Sequence, residues 1–438
     1  MEGMPALIHG IAAGSTCAKR SARPKREERP SGRRSERDSM QAVKKWLTRE
    51  LMAVLFSCSF ASFAAGMLYP ILPLYLQDQG VEPGTIGLIF VCMAFATAIG
   101  EFFWGRMIDR MDLRIAMVIG TMVLGVVTLA FQYPPGTQGF FVAAFLFGFF
   151  RSPLWVIQRW YMGVNAPPAM KTMAMASLGT VWFIGQSAAG FTTGFVTNAY
   201  GYSTVIWIAA WLPFLVGLIL LFASPWLDFR RRHSFEGLGQ AQVHAAVGSA
   251  SSSLWMAFWL GLVASAYYIA VGIFLTYLPL FATDVAGANV RQVGVLFGVQ
   301  GLVFALAMPP LGRLADKLGK RKFLTAGLVL VMLSTGGITL ARSYSMLLLC
   351  VVLFSLGSSM FEPAGLATLS ERMPPERQGT AFGIYALLED GGWTIGPALG
   401  GALWGASGPQ AAFALAAGAS GVGVVLSIAL MRTLLVDK

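Results

Sequence analysis

The sequence contains two copies of one loop motif, about 207 residues apart. GRMIDRMDLR begins at Gly105, and GRLADKLGKR begins at Gly312. The similarity extends upstream, where GMLYPILPLYL and GIFLTYLPLFA align with Pro73 and Pro279 in register. A match that covers several segments at one repeat distance indicates internal duplication. We therefore expect two halves with the same order of elements.

The composition places the chain in a membrane. Hydrophobic residues make up 56% of the sequence, charged residues only 12%, and the mean hydropathy is +0.64. A soluble domain carries about 25% charged residues, so this chain has too little polar surface for water. Apolar runs close to the ~20 residues that span a bilayer recur along the sequence. They lie at about 51–76, 85–104, 115–133, 139–162, 172–197, 203–223, 254–282, 292–311, 323–341, 346–369, 379–405 and 410–431.

The sequence therefore predicts an all-α integral membrane protein with twelve transmembrane helices, which we number spans 1 to 12. They are expected to form two pseudo-symmetric six-helix bundles, at 46–224 and 254–438, and such duplicated halves are typical of secondary transporters. A linker at 225–253, rich in Ser, Ala and Gly, is expected to be flexible. Residues 1–45 are predicted to form a basic, disordered cytoplasmic tail, unless translation begins at Met40.

The distribution of Lys and Arg predicts the orientation of the spans. The connections on one side of the membrane hold most of these residues, including those at 230–232, whereas the other side holds only Arg291 and Arg342. Because basic residues accumulate in cytoplasmic loops, both termini are predicted to be cytoplasmic, in a plasma or inner membrane. This distribution accounts for the net charge of +11 without a nucleic-acid partner.

The sequence shows none of the chemistry expected of an enzyme. Its three His and four Cys residues have no metal-ligand spacing, and neither a Ser/His/Asp set nor a nucleotide-binding loop is recognisable. We therefore predict a protein that is not an enzyme and that uses no metal, no cofactor and no ATP.

Between about residues 46 and 432, the chain resembles the major facilitator superfamily. The two repeated loops match the G-x-x-x-D-[KR] signature of that family, although Asp112 stands where a glycine is usual in the first copy. In the family this element is a latch that helps to stabilise the outward-facing state, and its glycine permits close helix approach. The resemblance implies a latch role for Gly105, Asp109, Arg110, Gly312, Asp316 and Lys317.

Two further motifs resemble those of twelve-helix drug:proton antiporters. The first is Pro70-Ile71-Leu72-Pro73 at the end of span 1. The second lies in span 11 and comprises Gly392, Gly396, Pro397, Gly400 and Gly401. In the family it is strongest in span 5, where this chain has only GFTTG from Gly190. A packing role for these small residues explains the span 11 motif equally well.

Four ionisable side chains lie well inside the predicted spans. Each costs about 2.5 to 3.5 kcal/mol to insert at a helix centre, so such residues usually mark a pathway. They are Arg151 in span 4, Glu362 in span 10, and Glu389 with Asp390 in span 11. Helical spacing and position suggest further cavity-lining side chains. These are Trp155, Gln158, Ser355, Ser358, Ser359 and Tyr268.

The resemblance implies that spans 1, 4, 7 and 10 line a central cavity, which Arg151 and Glu362 would approach from opposite halves. Our hypothesis is that Glu362 exchanges a proton, while Arg151 modulates its proton affinity or holds an anionic group. Alternatively, Arg151 forms a structural ion pair with Glu362 or Asp390. Glu389 and Asp390 point about 100° apart on a helix, so both cannot face one partner equally.

The sequence favours a secondary active transporter that exports small lipophilic or cationic compounds by alternating access, coupled to protons. One alternative is a proton symporter that imports an organic anion or a sugar-like solute, with Arg151 as the anion anchor. Another is a membrane receptor or scaffold that keeps the fold without transport. The expected partners are a small-molecule substrate, protons and the lipid bilayer. The sequence leaves the oligomeric state open, and a monomer is compatible with it.

Overall fold

The computed structural model describes residues 49–108, 112–133, 136–165, 171–223, 252–373 and 377–436. Every secondary-structure element in these ranges is a helix. The predicted tail at 1–45, most of the linker at 225–253, and the latch residues Asp109 and Arg110 lie outside the described residues.

Twelve membrane spans make up the described chain. Span 1 is Arg49–Leu68, continued by Leu72–Asp78, and span 3 is Leu113–Thr128, continued by the 3-10 turn Leu129–Phe131. Spans 5 and 6 lie in the helical segment Lys171–Ala223. The others are span 2 at Pro83–Ile108, span 4 at Gly136–Asn165, span 7 at Ser252–Asp284, span 8 at Val290–Leu318, span 9 at Lys320–Leu340, span 10 at Tyr344–Arg372, span 11 at Gln378–Ser407 and span 12 at Pro409–Val436.

The predicted number of spans is confirmed. Among the described residues, 10 helices are long and apolar enough to cross a membrane by length and composition. One of them, Gly179–Phe222, has 44 residues and contains two spans. Span 11 is not among the ten, because adjacent acids and several glycines lower its hydropathy, yet its 30 residues pack with the other spans. The all-α architecture is therefore that of a twelve-helix membrane protein.

Glycines with left-handed backbone conformation end corresponding helices in the two halves. Gly80 (φ 78°) and Gly287 (φ 66°) lie 207 residues apart, and so do Gly201 (φ 81°) and Gly408 (φ 90°). A side chain is strained at such φ values, so glycine is needed where the chain turns sharply. Spans 5 and 6 consequently meet at Gly201, and spans 11 and 12 meet at Gly408. The duplication seen in the sequence is thus also a duplication of helix boundaries.

The loop between spans 2 and 3 differs from the corresponding loop between spans 8 and 9 in the residue that precedes the second helix. Gly319, between spans 8 and 9, has a φ of 104°. At the corresponding position Asp112 has a φ of −66° and caps span 3 by accepting a 2.9 Å hydrogen bond from Arg114 N. An N-terminal cap satisfies a backbone donor that would otherwise lack a partner. The aspartate that interrupts the first motif therefore has a structural role at the start of span 3.

Span 5 of the first half crosses span 8 of the second half at a run of glycines. A Cβ atom on Gly194 would lie 2.9 Å from the Cα of Gly294, and one on Gly298 would lie 2.6 Å from the ring of Phe191. Ser187 Oγ donates a 2.8 Å hydrogen bond to the Gly298 carbonyl. Small residues allow two helix backbones to approach so closely, and they fix this crossing.

Spans 2 and 11 form the corresponding crossing on the other side of the molecule. A Cβ atom on Gly401 would lie 3.1 Å from the Cα of Gly84. Tyr277 of span 7 is fully buried beside them, and its hydroxyl donates a 2.8 Å hydrogen bond to the Pro397 carbonyl, 3.3 Å from the Pro83 carbonyl. Pro397 and Gly401 belong to the glycine and proline motif, so this motif packs the two halves together.

Among the described residues, the close contacts between the halves lie from the middle of the bundle towards one face. We call the face where span 1 begins proximal and the opposite face distal. Near the distal face, Gln77 Nε2 donates a 3.0 Å hydrogen bond to Asp284 Oδ2, and the Arg291 guanidinium lies 4.2 Å from the Phe195 ring centroid. Together with the two glycine crossings, these contacts close the distal face.

Candidate functional site

Span 10 carries a carboxylate that is held by a tyrosine. Glu362 is half-buried, and Tyr267 Oη of span 7 donates a 3.2 Å hydrogen bond to Glu362 Oε1. Tyr267 is fully buried, and its ring centroid lies 4.2 Å from that of Phe361. Because packing on both sides fixes the tyrosine, it also fixes the orientation of the carboxylate.

A second carboxylate and two more tyrosines complete this group. Glu389 of span 11 is half-buried and lies within electrostatic reach of Glu362. Both carboxylates also lie within electrostatic reach of the hydroxyl groups of Tyr268 and Tyr385. We call Glu362, Glu389, Tyr267, Tyr268 and Tyr385 the acid cluster. Two carboxylates in one site of low dielectric repel each other, so a bound proton or a cation stabilises the cluster.

The serines of span 10 lie inside the bundle in this conformation and do not line an open surface. Ser355, Ser358 and Ser359 are all fully buried. The hydroxyl groups of Ser355 and Ser359 each donate a 2.7 Å hydrogen bond to a carbonyl of their own helix, which satisfies them locally. Ser358 Oγ is near the hydroxyl of Tyr267 and has no hydrogen-bond partner within the described residues.

The two adjacent acids of span 11 point to different surroundings, as their spacing predicts. Glu389 belongs to the acid cluster, whereas Asp390 is exposed on the same side as Leu387, which is 74% exposed. The Asp390 carbonyl accepts a 2.8 Å hydrogen bond from Thr394 Oγ1. Of the two acids, Glu389 is therefore the one that shares a site with Glu362.

Arg151 lies apart from the acid cluster. Arg151 and Glu362 form no ion pair within the described residues, and Arg151 Nε is buried there without a hydrogen-bond partner. Trp155 and Gln158 follow on the same helix face, and the Trp155 ring lies 4.9 Å from that of Trp182 in span 5. The structural ion pair between Arg151 and Glu362 that the sequence left open is thus not formed in this conformation.

A proline adjoins each of the two central charges. Pro153 in span 4 has no N–H group, so the Phe149 carbonyl four residues earlier lacks its helical donor. Ser152 Oγ and Trp104 Nε1 donate to that carbonyl at 2.7 and 3.2 Å. In span 10, Pro363 directly follows Glu362. Both central charges therefore lie next to an interruption of the helical hydrogen bonds.

Comparison with known proteins identifies the family. The sequence profile of the Major Facilitator Superfamily matches residues 54–304 and 260–436. The chain belongs to this superfamily. A multi-drug resistance efflux pump PmrA homolog of Lactococcus lactis is 23% identical over 366 residues, which cover 82% of this chain and 88% of the relative. The multidrug resistance protein MdtG of Klebsiella pneumoniae is 25% identical over 399 residues, which cover 88% of this chain and 93% of the relative.

The fold also matches solved structures of transporters. A bacterial homolog of the human lysosomal transporter Spinster, in an inward-facing and occupied conformation, aligns with a TM-score of 0.74 at 13% identity. The alignment covers 89% of this chain and 97% of that structure. At this identity, the likeness establishes the shared fold.

The glycines of the superfamily latch motif are loosely surrounded here. Within the described residues, a Cβ atom on Gly105 or Gly312 would meet no atom within 4 Å. The described part of the chain therefore makes no close helix approach at these two glycines in this conformation. Both lie towards the proximal face, away from the crossings that hold the halves together.

The second latch motif is instead tied to its own half. Asp316 Oδ1 lies 3.2 Å from Lys320 Nζ, and Lys320 also pairs with Glu371 at the end of span 10. Lys317 is exposed. The motif thus connects the turn between spans 8 and 9 to span 10.

Two members of the acid cluster, Tyr267 and Tyr385, are not among the site residues predicted from the sequence. Tyr385 lies one helical turn before Glu389, and this spacing could have indicated it. Tyr267 depends on how span 7 packs against span 10, which the sequence does not specify. Within the described residues, no group of three or more His, Cys, Asp or Glu side chains could hold a metal ion.

Proposed function

We propose that this superfamily member exports small lipophilic or cationic compounds across a plasma or inner membrane in exchange for protons. The names of two relatives, an efflux pump homolog and a multidrug resistance protein, support efflux. The distribution of basic residues supports an orientation in which both termini and the proximal face are cytoplasmic.

The acid cluster is the observation that carries this proposal. It places two carboxylates of spans 10 and 11 within electrostatic reach, and one of them accepts a hydrogen bond from Tyr267. In a low-dielectric site, either a proton or a cationic ligand relieves the repulsion between the carboxylates. If the two compete for one site, binding of the compound releases the proton, and this competition is the coupling step of an antiporter.

The closed distal face supports a place for this conformation in the transport cycle. With the distal crossings packed, a compound would reach the acid cluster from the proximal, cytoplasmic side. Opening the crossings between spans 5 and 8 and between spans 2 and 11 would then expose the cluster to the distal side. There, a proton would replace the departing compound, and the protonated protein would return to the conformation described.

Transport into inside-out proteoliposomes tests this function. With an acidic lumen, we expect ethidium to accumulate in vesicles that carry the wild-type protein and not in protein-free vesicles. Glu362→Gln should abolish accumulation driven by the gradient. The matched control is Glu82→Gln, because Glu82 is an exposed acid in the distal connection between spans 1 and 2. Accumulation that persists in Glu362→Gln, with Glu82→Gln also active, would contradict the coupling role.

One observation favours a second candidate, import of an organic anion by proton symport. Arg151 Nε is buried without an acceptor within the described chain, which suits an anchor for an anionic solute. This candidate predicts that an acidic lumen drives loss of a labelled organic anion from inside-out vesicles, because the anion and the proton leave the lumen together. Transport of a neutral dye that is retained by Arg151→Lys would count against it.

A receptor or scaffold without transport remains the third interpretation. It predicts that removal of Glu362, Glu389 and Asp390 together leaves the function intact. The ethidium and organic-anion assays on the wild-type protein distinguish it from both transporters, because a protein without transport shows neither flux.

A further inference from the structure

Span 4 presents polar groups that the acid cluster does not use. Arg151, Trp155 and Gln158 are spaced four and three residues apart, so they lie on one face of the helix. Arg151 and Gln158 are seven residues apart, which corresponds to about 10 Å along the helix axis. The face is therefore long enough for an organic molecule of several atoms.

Gln158 is the most unusual group on this face. The residue is only 2% exposed, and within the described chain neither Nε2 nor Oε1 has a hydrogen-bond partner. Buried polar side chains nearly always find a partner, because an unpaired amide loses its hydration without compensation. The amide therefore offers both a donor and an acceptor to a bound molecule.

Arg151 gives this helix face a positive charge, and its Nε is a hydrogen-bond donor without an acceptor in the described chain. This Nε is also buried, and no described carboxylate lies within ion-pair distance of the guanidinium. Lys320, by contrast, is paired with two acids at the proximal face. A guanidinium matches the geometry of a carboxylate with two parallel hydrogen bonds.

Between these polar groups lies an aromatic surface. Trp155 stands one turn after Arg151, and its ring meets that of Trp182 at an interplanar angle of 64°. The backbone carbonyl of Trp182 accepts a 2.5 Å hydrogen bond from Ser62 Oγ, which links span 5 to span 1 at this position. Two such rings suit the flat apolar body of a ligand.

We propose that span 4 holds a ligand subsite for a flat organic acid. Arg151 binds the carboxylate, Trp155 and Trp182 contact the apolar body, and Gln158 bonds a second polar group at the far end. The inference rests on the proposed transport function and extends its substrates from lipophilic or cationic compounds to organic acids. The compounds include ones with an anionic group bound by the first half, separate from the proton or cation bound by the acid cluster.

Binding of a matched probe pair tests the subsite without any gradient. The probes are 6-hydroxy-2-naphthoate and its methyl ester, which share a ring system and differ in the negative charge. Isothermal titration of the full chain in an uncharged detergent should show the acid binding at least tenfold more tightly than the ester. Equal affinity for acid and ester in the wild-type protein would overturn the proposal, and this comparison needs no variant to fold.

Variants then assign the contacts. Arg151→Gln should weaken binding of the acid at least tenfold and remove the difference between acid and ester, with Arg151→Lys intermediate. Gln158→Leu should remove the preference for 6-hydroxy-2-naphthoate over 2-naphthoate. Arg342→Gln, a change of an exposed arginine near the distal face, is the matched control. Unchanged binding of the acid by folded Arg151→Gln, verified by its thermal melt, would refute the subsite.

The experiments can refute the proposed subsite and the proposed coupling step independently of each other. Glu362→Gln should still bind 6-hydroxy-2-naphthoate, because the acid cluster is not part of the subsite. If the titrations fail while an acidic lumen still drives ethidium accumulation, only the subsite is refuted. If the titrations succeed while accumulation is insensitive to Glu362, only the coupling role is refuted.

Discussion

At the scale of single residues, the acid cluster separates two side chains that are neighbours in sequence. Glu389 shares a site with Glu362 and the tyrosines, whereas Asp390 is exposed on another side of the same helix. A carboxylate near a second carboxylate binds a proton or a cation more readily than an isolated carboxylate does, because binding relieves the repulsion between the two charges. Chemical identity alone therefore does not decide which acid takes part in coupling.

This difference predicts unequal effects of two conservative changes. Glu389→Gln should lower ethidium accumulation driven by an acidic lumen by about tenfold or more, since it removes one of the paired charges. Asp390→Asn should leave at least half of the activity. Initial rates in inside-out proteoliposomes, normalised to the amount of inserted protein, measure both. A larger loss in Asp390→Asn than in Glu389→Gln would show that the cluster has been assigned to the wrong acid.

The sequence predicted the charged members of the site but not their grouping. Arg151, Glu362 and Glu389 are conspicuous because ionisable residues are rare within membrane spans. Their partners depend on the rotation and packing of the helices. Tyr267 touches Glu362 across 95 positions of sequence, and the serines of span 10 are directed into the bundle by the same packing. Such facts are set by tertiary contacts that no local pattern encodes.

At the scale of helices, most of the fold follows from sequence. Long apolar runs predicted the twelve spans, and the helices extend a few residues beyond those runs because their polar ends continue past the apolar layer. Span 8, for example, was predicted to end at 311 and continues to Leu318. The direct junction of spans 5 and 6 at Gly201 was less evident, since only its φ of 81° shows that the chain turns there.

The Tyr277 side chain of span 7 contacts spans 2 and 11 near the distal face. We therefore expect removal of its hydroxyl group to shift the conformation of the protein. Tyr277→Phe removes the hydrogen bond to the Pro397 carbonyl and the polar contact with Pro83 of the other half. A net hydrogen bond contributes about 0.5 to 1.5 kcal/mol, enough to change a conformational ratio about twofold to tenfold. We expect a larger population that is open on the distal face.

Spin labels on Gln79 and Ala286, in a chain without its native cysteines, measure this shift. Double electron–electron resonance should show a longer distance component in Tyr277→Phe than in the parent protein. Tyr200→Phe is the control, because Tyr200 is 74% exposed. An identical distance distribution in the parent and Tyr277→Phe would contradict a closing role for the Tyr277 hydroxyl.

Two glycine-to-alanine changes should behave in opposite ways. At Gly294 a Cβ atom would collide with the backbone of Gly194, whereas at Gly105 it would meet no atom of the described residues within 4 Å. We expect Gly294→Ala to lower the midpoint of thermal unfolding and to weaken the distal closure. Gly105→Ala should keep or raise the midpoint, since alanine favours a helix over glycine by up to about 1 kcal/mol. Equal midpoints for the two variants would argue against close packing at the crossing.

At the scale of the whole molecule, the two halves have the same arrangement of helices but different polar side chains inside the bundle. Corresponding glycines end corresponding helices, and corresponding crossings join the halves. The acid cluster belongs to the second half, whereas the arginine, glutamine and tryptophans belong to the first. Duplication thus accounts for the shared helix plan of the two halves, and divergence accounts for the different polar groups that each half places inside the bundle.

The central claim is that a proton and an exported compound compete for the acid cluster. The most direct test adds ethidium to the purified wild-type protein in weakly buffered detergent solution and follows the pH with an indicator dye. The account predicts that binding releases protons into solution, and that Glu362→Gln with Glu389→Gln binds ethidium more weakly and without proton release. Ethidium binding with no proton release from the wild type, or the same release from the double variant, would contradict the account.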